Sequence, residues 1–285
     1  MYSQSITRAH RTAFILLIDG SGSMAEELLF RGRTQSKAEA VATITNELIF
    51  ELIERARRTE GVRDYYDIAV LGYGGDDCVY ALLDAERPIM SVTELAAKPI
   101  DLHRQLIDMR QPDGLIAQRE FCTPQWVKPH CTGQTPMLEA LRIARDLLKE
   151  WVLRPENAAS FPPVVFNITD GEATDGTDND LYGVAEEIRS LATTEGNVLL
   201  LNIHIAPATS TSGCCFPSAN ELGEMSRHAH LLYSCSSEMP ACFNEAIRSI
   251  KGLQAEPPFR GMSFNASVAD VVAMLDIGSI SVKTE

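Results

Sequence analysis

The chain has 285 residues, which suits one sizeable domain or one domain with a small appendage. Apolar residues make up 45% and charged residues 22%, globular proportions that exclude wholesale disorder and fibrous repeats. Asp and Glu outnumber Lys and Arg by 39 to 25, a net charge of −14 that repels phosphates and anionic lipids and argues against nucleic-acid or membrane partners.

Short apolar runs alternate with stretches of helical period. Residues 12–18 (TAFILLI) read as a buried strand. Ser36 and Glu39 form a capping-box pattern, and Val41, Ile44, Leu48 and Leu52 follow at helical spacing. Residues 67–72 predict a second strand. Gly74 and Gly75 then turn the chain, and residues 79–83 are expected to return antiparallel at the sheet edge. The mixed pattern of 84–134 predicts short helices and loops. Thr135-Pro136 predicts an N-cap with Pro at the first helical position, followed by Leu138, Leu141, Ala144, Leu147 and Leu148.

Beyond that helix, 164–168 predict a strand, and Leu181, Val184, Ala185, Ile188 and Leu191 a helix. Residues 197–206 predict another strand. A capping box at Ser218 and Glu221 is expected to open a helix with Leu222 and Met225. Residues 230–233 predict a last short strand, and Phe243, Ala246, Ile247 and Ile250 a last helix. The fold expected is α/β, a doubly wound and mostly parallel sheet with helices on both faces. Pro257-Pro258 suggests a domain over 1–256 and a C-terminal extension over 257–285, either a short helix near 267–275 or partly disordered.

No apolar run approaches the ~20 residues of a membrane-spanning helix, and no export signal precedes the first strand. Cysteines stand at 78, 122, 131, 214, 215, 235 and 242, an odd number. A reduced, cytoplasmic protein is therefore expected.

In a doubly wound sheet, ligands sit at the carboxyl ends of strands. Asp19, Ser21 and Ser23 follow the first strand, separated by glycines that let the backbone turn sharply. Asp170 follows the strand at 164–168, and Thr135 stands at a helix start. These supply two carboxylates and three hydroxyls, all hard oxygens. Such a set suits Mg²⁺, or alternatively Mn²⁺ or Ca²⁺, and not zinc or copper. It does not saturate six positions, so water or an outside carboxylate is expected to complete the shell.

Asp-x-Ser-x-Ser after the first strand, a later Thr, and Thr-Asp-Gly after a middle strand resemble the metal-ion-dependent adhesion site of von Willebrand factor A domains. The resemblance in pattern and order spans residues 12–252. It implies a Rossmann-like sheet of about six strands with one metal on top, held by Asp19, Ser21, Ser23, Thr135 and Asp170. Ser21, Ser23 and sometimes Thr135 would ligate directly, and Asp19 and Asp170 often through water. A protein partner would present Asp or Glu to the ion. Without an export signal, the chain looks more like intracellular, bacterial stand-alone members, such as the TerY-type proteins of tellurium-resistance stress systems. The expected function is a metal-dependent protein-interaction module or scaffold. The alternatives are a metal-dependent hydrolase or phosphatase, and a structural subunit whose metal only stabilises the fold.

The acidic run 170–180 lacks EF-hand spacing and reads as a solvated loop with a helix N-terminus. Cys122, His130 and Cys131 invite zinc, but they lack knuckle spacing and a fourth ligand, so buried or incidental cysteines are expected. Arg31, Arg33 and Lys37 read as a solvated basic loop, with contact to an acidic partner tail as the functional alternative. Trp126 and Trp151 read as packing residues. No P-loop and no Gly-x-Ser-x-Gly elbow is present, and Glu172, the candidate general base, is expected to point to solvent. An enzyme is not expected.

Overall fold

The fold is that of a computed structural model, which describes residues 2–279 apart from 4, 5, 76, 77, 111–115, 206–212 and 224. Its first strand, β1 (Thr12–Gly20), is buried along its whole length. Two short antiparallel strands, β2 (Glu27–Phe30) and β3 (Arg33–Ser36), form a hairpin that leads into α1 (Lys37–Ala56). The capping box of Ser36 and Glu39 starts α1 as expected. The chain returns to the sheet in β4 (Tyr66–Gly74), edged by β5 (Cys78–Ala81) and β6 (Ile89–Ser91), both antiparallel to β4.

The least legible stretch, 84–134, differs from expectation. After β6 and a short α2 (Val92–Ala97), it forms a long antiparallel hairpin, β7 (Asp101–Arg110) and β8 (Ile116–Gln125), which among the described residues pairs with itself and not with the main sheet. Then come α3 (Met137–Val152), β9 (Val164–Thr169), α4 (Asp178–Ser190) and β10 (Leu199–Ile205). The C-terminal part contributes β11 (Cys214–Cys215), α5 (Arg227–Cys235), α6 (Asn244–Lys251), β12 (Met262–Ala266) and α7 (Val268–Ser279).

Among the described residues the main sheet has eight strands, in the order β11-β12-β10-β9-β1-β4-β5, with β6 also on β4. β12, β10, β9, β1 and β4 run parallel. Phe14, Leu16 and Ile18 point to a layer that holds Val41, Leu48 and Leu52 of α1 and Met274 and Leu275 of α7. Ile15 and Leu17 point the other way, against Leu138 and Leu141 of α3 and Leu181 and Ile188 of α4. Both faces of β1 are covered, which is why its sequence is almost continuously apolar. Trp126 and Trp151 are buried, their indole N–H groups donating to Leu95 O at 2.8 Å and Asp67 Oδ2 at 2.9 Å.

Three further expectations are corrected. Residues 230–233 are part of α5, opened by Ser226, whose side chain accepts from Ala229 N. The Ser218 box forms, but it starts only a 3-10 turn, Ala219–Glu221. Within 257–279 the expected extension is part of the fold: β12 joins the main sheet beside β10, and α7 packs on its face; 280–285 lie outside the described residues.

Candidate functional site

From β1 the chain crosses to β4 on one side and later to β9 on the other. The crossovers therefore diverge between β1 and β9, and their carboxyl ends frame a crevice. Asp19 is the penultimate residue of β1, and Asp170 directly follows β9.

Asp19 is fully buried. Its Oδ1 accepts from Ser21 N at 2.9 Å and its Oδ2 from the Thr169 hydroxyl at 2.7 Å. Burial pushes the Asp19 carboxyl above its ordinary range, against the pull of the hydrogen bonds from Ser21 and Thr169. Ser21 Oγ and Ser23 Oγ are 3.0 Å apart, and Ser23 Oγ donates to Asp170 Oδ1 at 2.6 Å. Ser21 is buried, whereas Ser23 is open to solvent.

Thr135 is brought to the same crevice by glycine contacts. Gly133 has φ +77°, and a Cβ there would lie 1.6 Å from Gly75 O. Thr132 N donates to Gly20 O at 2.7 Å and Gly22 N to Gly133 O at 3.0 Å, which ties this segment to the Asp19 loop. Thr135 N donates to Thr174 Oγ1 at 3.1 Å, and Thr174 N to Thr135 O at 3.0 Å, which ties it to the Asp170 loop. The Thr135 hydroxyl lies 3.8 Å from the place a Cβ would take on Gly171. All five candidate residues thus fall on three adjoining loops. Thr135 does not act as the N-cap of α3. That place is taken by Pro136, and the Asp175 carboxylate accepts from Leu138 N at 3.0 Å and Glu139 N at 2.8 Å.

Two side chains missed by sequence reasoning belong to the site. Thr169 orients Asp19, as above. Lys37, expected in a solvated basic loop, is 2% exposed, and its ammonium donates to Asp170 Oδ2 at 2.9 Å and Glu26 Oε2 at 2.7 Å. Burial alone would lower the Lys37 pKa, but the Glu26 and Asp170 carboxylates outweigh it and hold it above its ordinary value. Arg31 pairs with Glu47 at 2.8 Å and lies over the Phe30 ring. Arg31 and Arg33 line a cleft of about 560 Å³ between the β2–β3 hairpin, α1 and the end of β8.

The acidic run is accounted for locally. Asp175 caps α3, Asp180 completes a capping box with Thr177, and Asp178 pairs with Arg227 at 2.6 Å. Glu172 is exposed, as expected. Among the described residues no three His, Cys, Asp or Glu side chains converge as metal ligands; the side chain of Cys122 lies outside the described residues. The oxygen set at β1 and β9 is instead mostly hydroxyl. In an octahedral shell with bonds of ~2.05 Å, neighbouring oxygens stand ~2.9 Å apart. The 3.0 Å between Ser21 Oγ and Ser23 Oγ fits two adjacent positions of such a shell.

No protein-family profile matches the chain, and no curated protein matches it by sequence. Solved structures that it is similar to include a von Willebrand factor type A protein from Catenulispora acidiphila, at 15% identity and TM-score 0.41, covering 69% of this chain and 34% of that one. Another is the vWF domain of the type V pili tip protein Mfa5 from Porphyromonas gingivalis, at 10% identity and TM-score 0.44, covering 94% of this chain and 93% of that one. The chain thus spans about a third of the Catenulispora protein.

Proposed function

We propose that this chain is a von Willebrand factor A-type domain with an adhesion-type metal site, and that it binds a protein partner through one divalent cation. Mg²⁺ is the first choice, with Mn²⁺ and Ca²⁺ as alternatives. Ser21, Ser23 and Thr135 would hold the ion directly, and Asp19 and Asp170 would anchor those hydroxyls or act through water. When bound, the ion supplies a Lewis-acidic position for an Asp or Glu of the partner. The observation that carries the reading is the Ser21–Ser23 hydroxyl pair at ligand spacing, backed by Asp170 and set at the crevice where the crossovers diverge.

A binding module is favoured over a hydrolase because Glu172, the candidate base, is exposed to solvent, where its carboxyl is not held as a general base. The net charge of −14 supports a partner that is not a nucleic acid. The cytoplasmic location we assign rests on the odd number of cysteines in the sequence. Placement in a tellurium-resistance-like stress system rests on the likeness to intracellular stand-alone members alone.

Calorimetric titration tests the metal. Mg²⁺ affinity should fall at least ~tenfold in Asp19→Ala, ~1.4 kcal/mol, because a charge and the anchor of Ser21 are lost together. Unchanged affinity would sink the assignment.

A further inference from the structure

We propose that Lys37 is a built-in counter-cation of the metal site, one that leaves the bound ion short of negative charge and so dependent on a partner's carboxylate. The inference rests on the metal reading above and goes further, by assigning a role to a residue outside the ligand set.

The geometry is specific. Lys37 is the first residue of α1, directly after the Ser36 cap, and its side chain is 2% exposed. Its ammonium bonds one oxygen of Asp170 while Ser23 bonds the other. Asp170, whose side chain is fully buried, therefore has both oxygens engaged and acts on an ion through the Ser23 hydroxyl. The charge count follows. Asp19 and Asp170 bring two negative charges to the crevice, and Lys37 takes one back. Glu26, the second partner of the ammonium, is 56% exposed at the rim and is screened by water. A dication in this setting is offset by about one resident charge and keeps a positive excess for an incoming carboxylate. With a neutral residue at 37, two buried carboxylates would nearly neutralise the ion, hold it more tightly and leave less attraction for the partner.

The competing account is an ordinary buried ion pair that serves stability alone. On that account, neutralising Lys37 lowers stability equally with and without metal and leaves divalent affinity unchanged or weaker.

The test uses the full chain and Mg²⁺ alone as the probe. Affinity is measured by calorimetry for wild type, Lys37→Gln and the charge-preserving Lys37→Arg, with thermal melts in chelator and in saturating Mg²⁺. We expect Lys37→Gln to bind Mg²⁺ at least ~tenfold more tightly and to gain more in Tm from Mg²⁺ than wild type, with Lys37→Arg near wild type. A Lys37→Gln variant that folds only in Mg²⁺ also supports the proposal, because the ion then replaces the ammonium. Equal or weaker Mg²⁺ affinity in Lys37→Gln overturns it while leaving the metal site standing. So does a variant that stays unfolded in saturating Mg²⁺. If wild type itself takes up no Mg²⁺, the metal reading fails and this inference falls with it.

Discussion

Asp19, Ser21 and Ser23 owe their shared geometry to one local event, the end of a fully buried strand followed by a glycine-flanked turn. Residue types and spacing were enough to single them out, because both are written in five consecutive positions. Lys37 was not legible in the same way. Its burial depends on Asp170, 133 positions away, and on Glu26 reaching over it. A lysine beside two arginines reads as solvated until that long-range pairing is known. A second buried group near the site carries a pH prediction. His204, at the end of β10, stacks on Phe264 at 4.4 Å, and burial followed by the neighbouring His228 pushes its pKa down to about 4. His228 is itself lowered by burial, and among the described residues neither of its ring nitrogens has a hydrogen-bond partner. A histidine depressed in the folded state contributes stability that is present above its unfolded pKa, about 6.5, and is lost as pH falls toward its folded value. Between pH 7.5 and 4.5 His204 alone should remove on the order of 2–3 kcal/mol. Urea denaturation at these two pH values should show a smaller loss in His204→Gln than in wild type. The same loss in both would assign the acid sensitivity elsewhere.

At the scale of elements, periodicity located the buried strands and the long helices but not the pieces defined by tertiary pairing. Among the described residues the β7–β8 hairpin pairs only with itself, and no run of apolar residues announces it. Residues 230–233 look like a strand because His-Leu-Leu-Tyr is short and apolar, yet the Ser226 cap four positions earlier opens a helix through them. Thr135-Pro136 resembles a self-sufficient helix start, but the cap of α3 comes from Asp175 on another loop. What joins the Thr135 segment to the site is Gly133, which a turn-based reading passes over. Its substitution should be far costlier than that of an equally left-handed glycine in open space. Gly32 has φ +80° with nothing within 4 Å of an added Cβ, so Gly32→Ala should cost only about 1–2 kcal/mol of backbone strain. Gly133→Ala adds a collision with the Gly75 carbonyl and should cost more than about 3 kcal/mol. In a folded fraction it should also weaken Mg²⁺ binding by displacing Thr135. Chemical denaturation of the two variants decides the point, and equal costs would show that the 74–75 and 132–135 loops separate freely.

For the whole molecule, the doubly wound plan was legible because five parallel strands, each covered on both faces, leave apolar runs that alternate with helical period. The C-terminal boundary was not. Pro257-Pro258 mimics a domain end, and β12, with its central Ser263 and Asn265, lacks the apolar continuity of β1. The packing shows what depends on it. β12 pairs in parallel with β10, and Phe259, Met262, Val271, Met274, Leu275 and Ile277 are all buried. At about 1.5–3 kcal/mol for each large apolar side chain, their removal would cost on the order of 10 kcal/mol. That is comparable to the entire stability of an ordinary domain, about 5–15 kcal/mol. Truncation would also bare β10, whose Leu199–Ile205 run is buried throughout, as a new sheet edge open to pairing with other chains. A chain ending at Glu256 should therefore be insoluble or unfolded. The full chain should melt cooperatively, and circular dichroism with size-exclusion chromatography on both chains makes the comparison. A soluble, monomeric 1–256 chain that melts within a few degrees of the full chain would show that β12 and α7 are dispensable, and that the core closes without them.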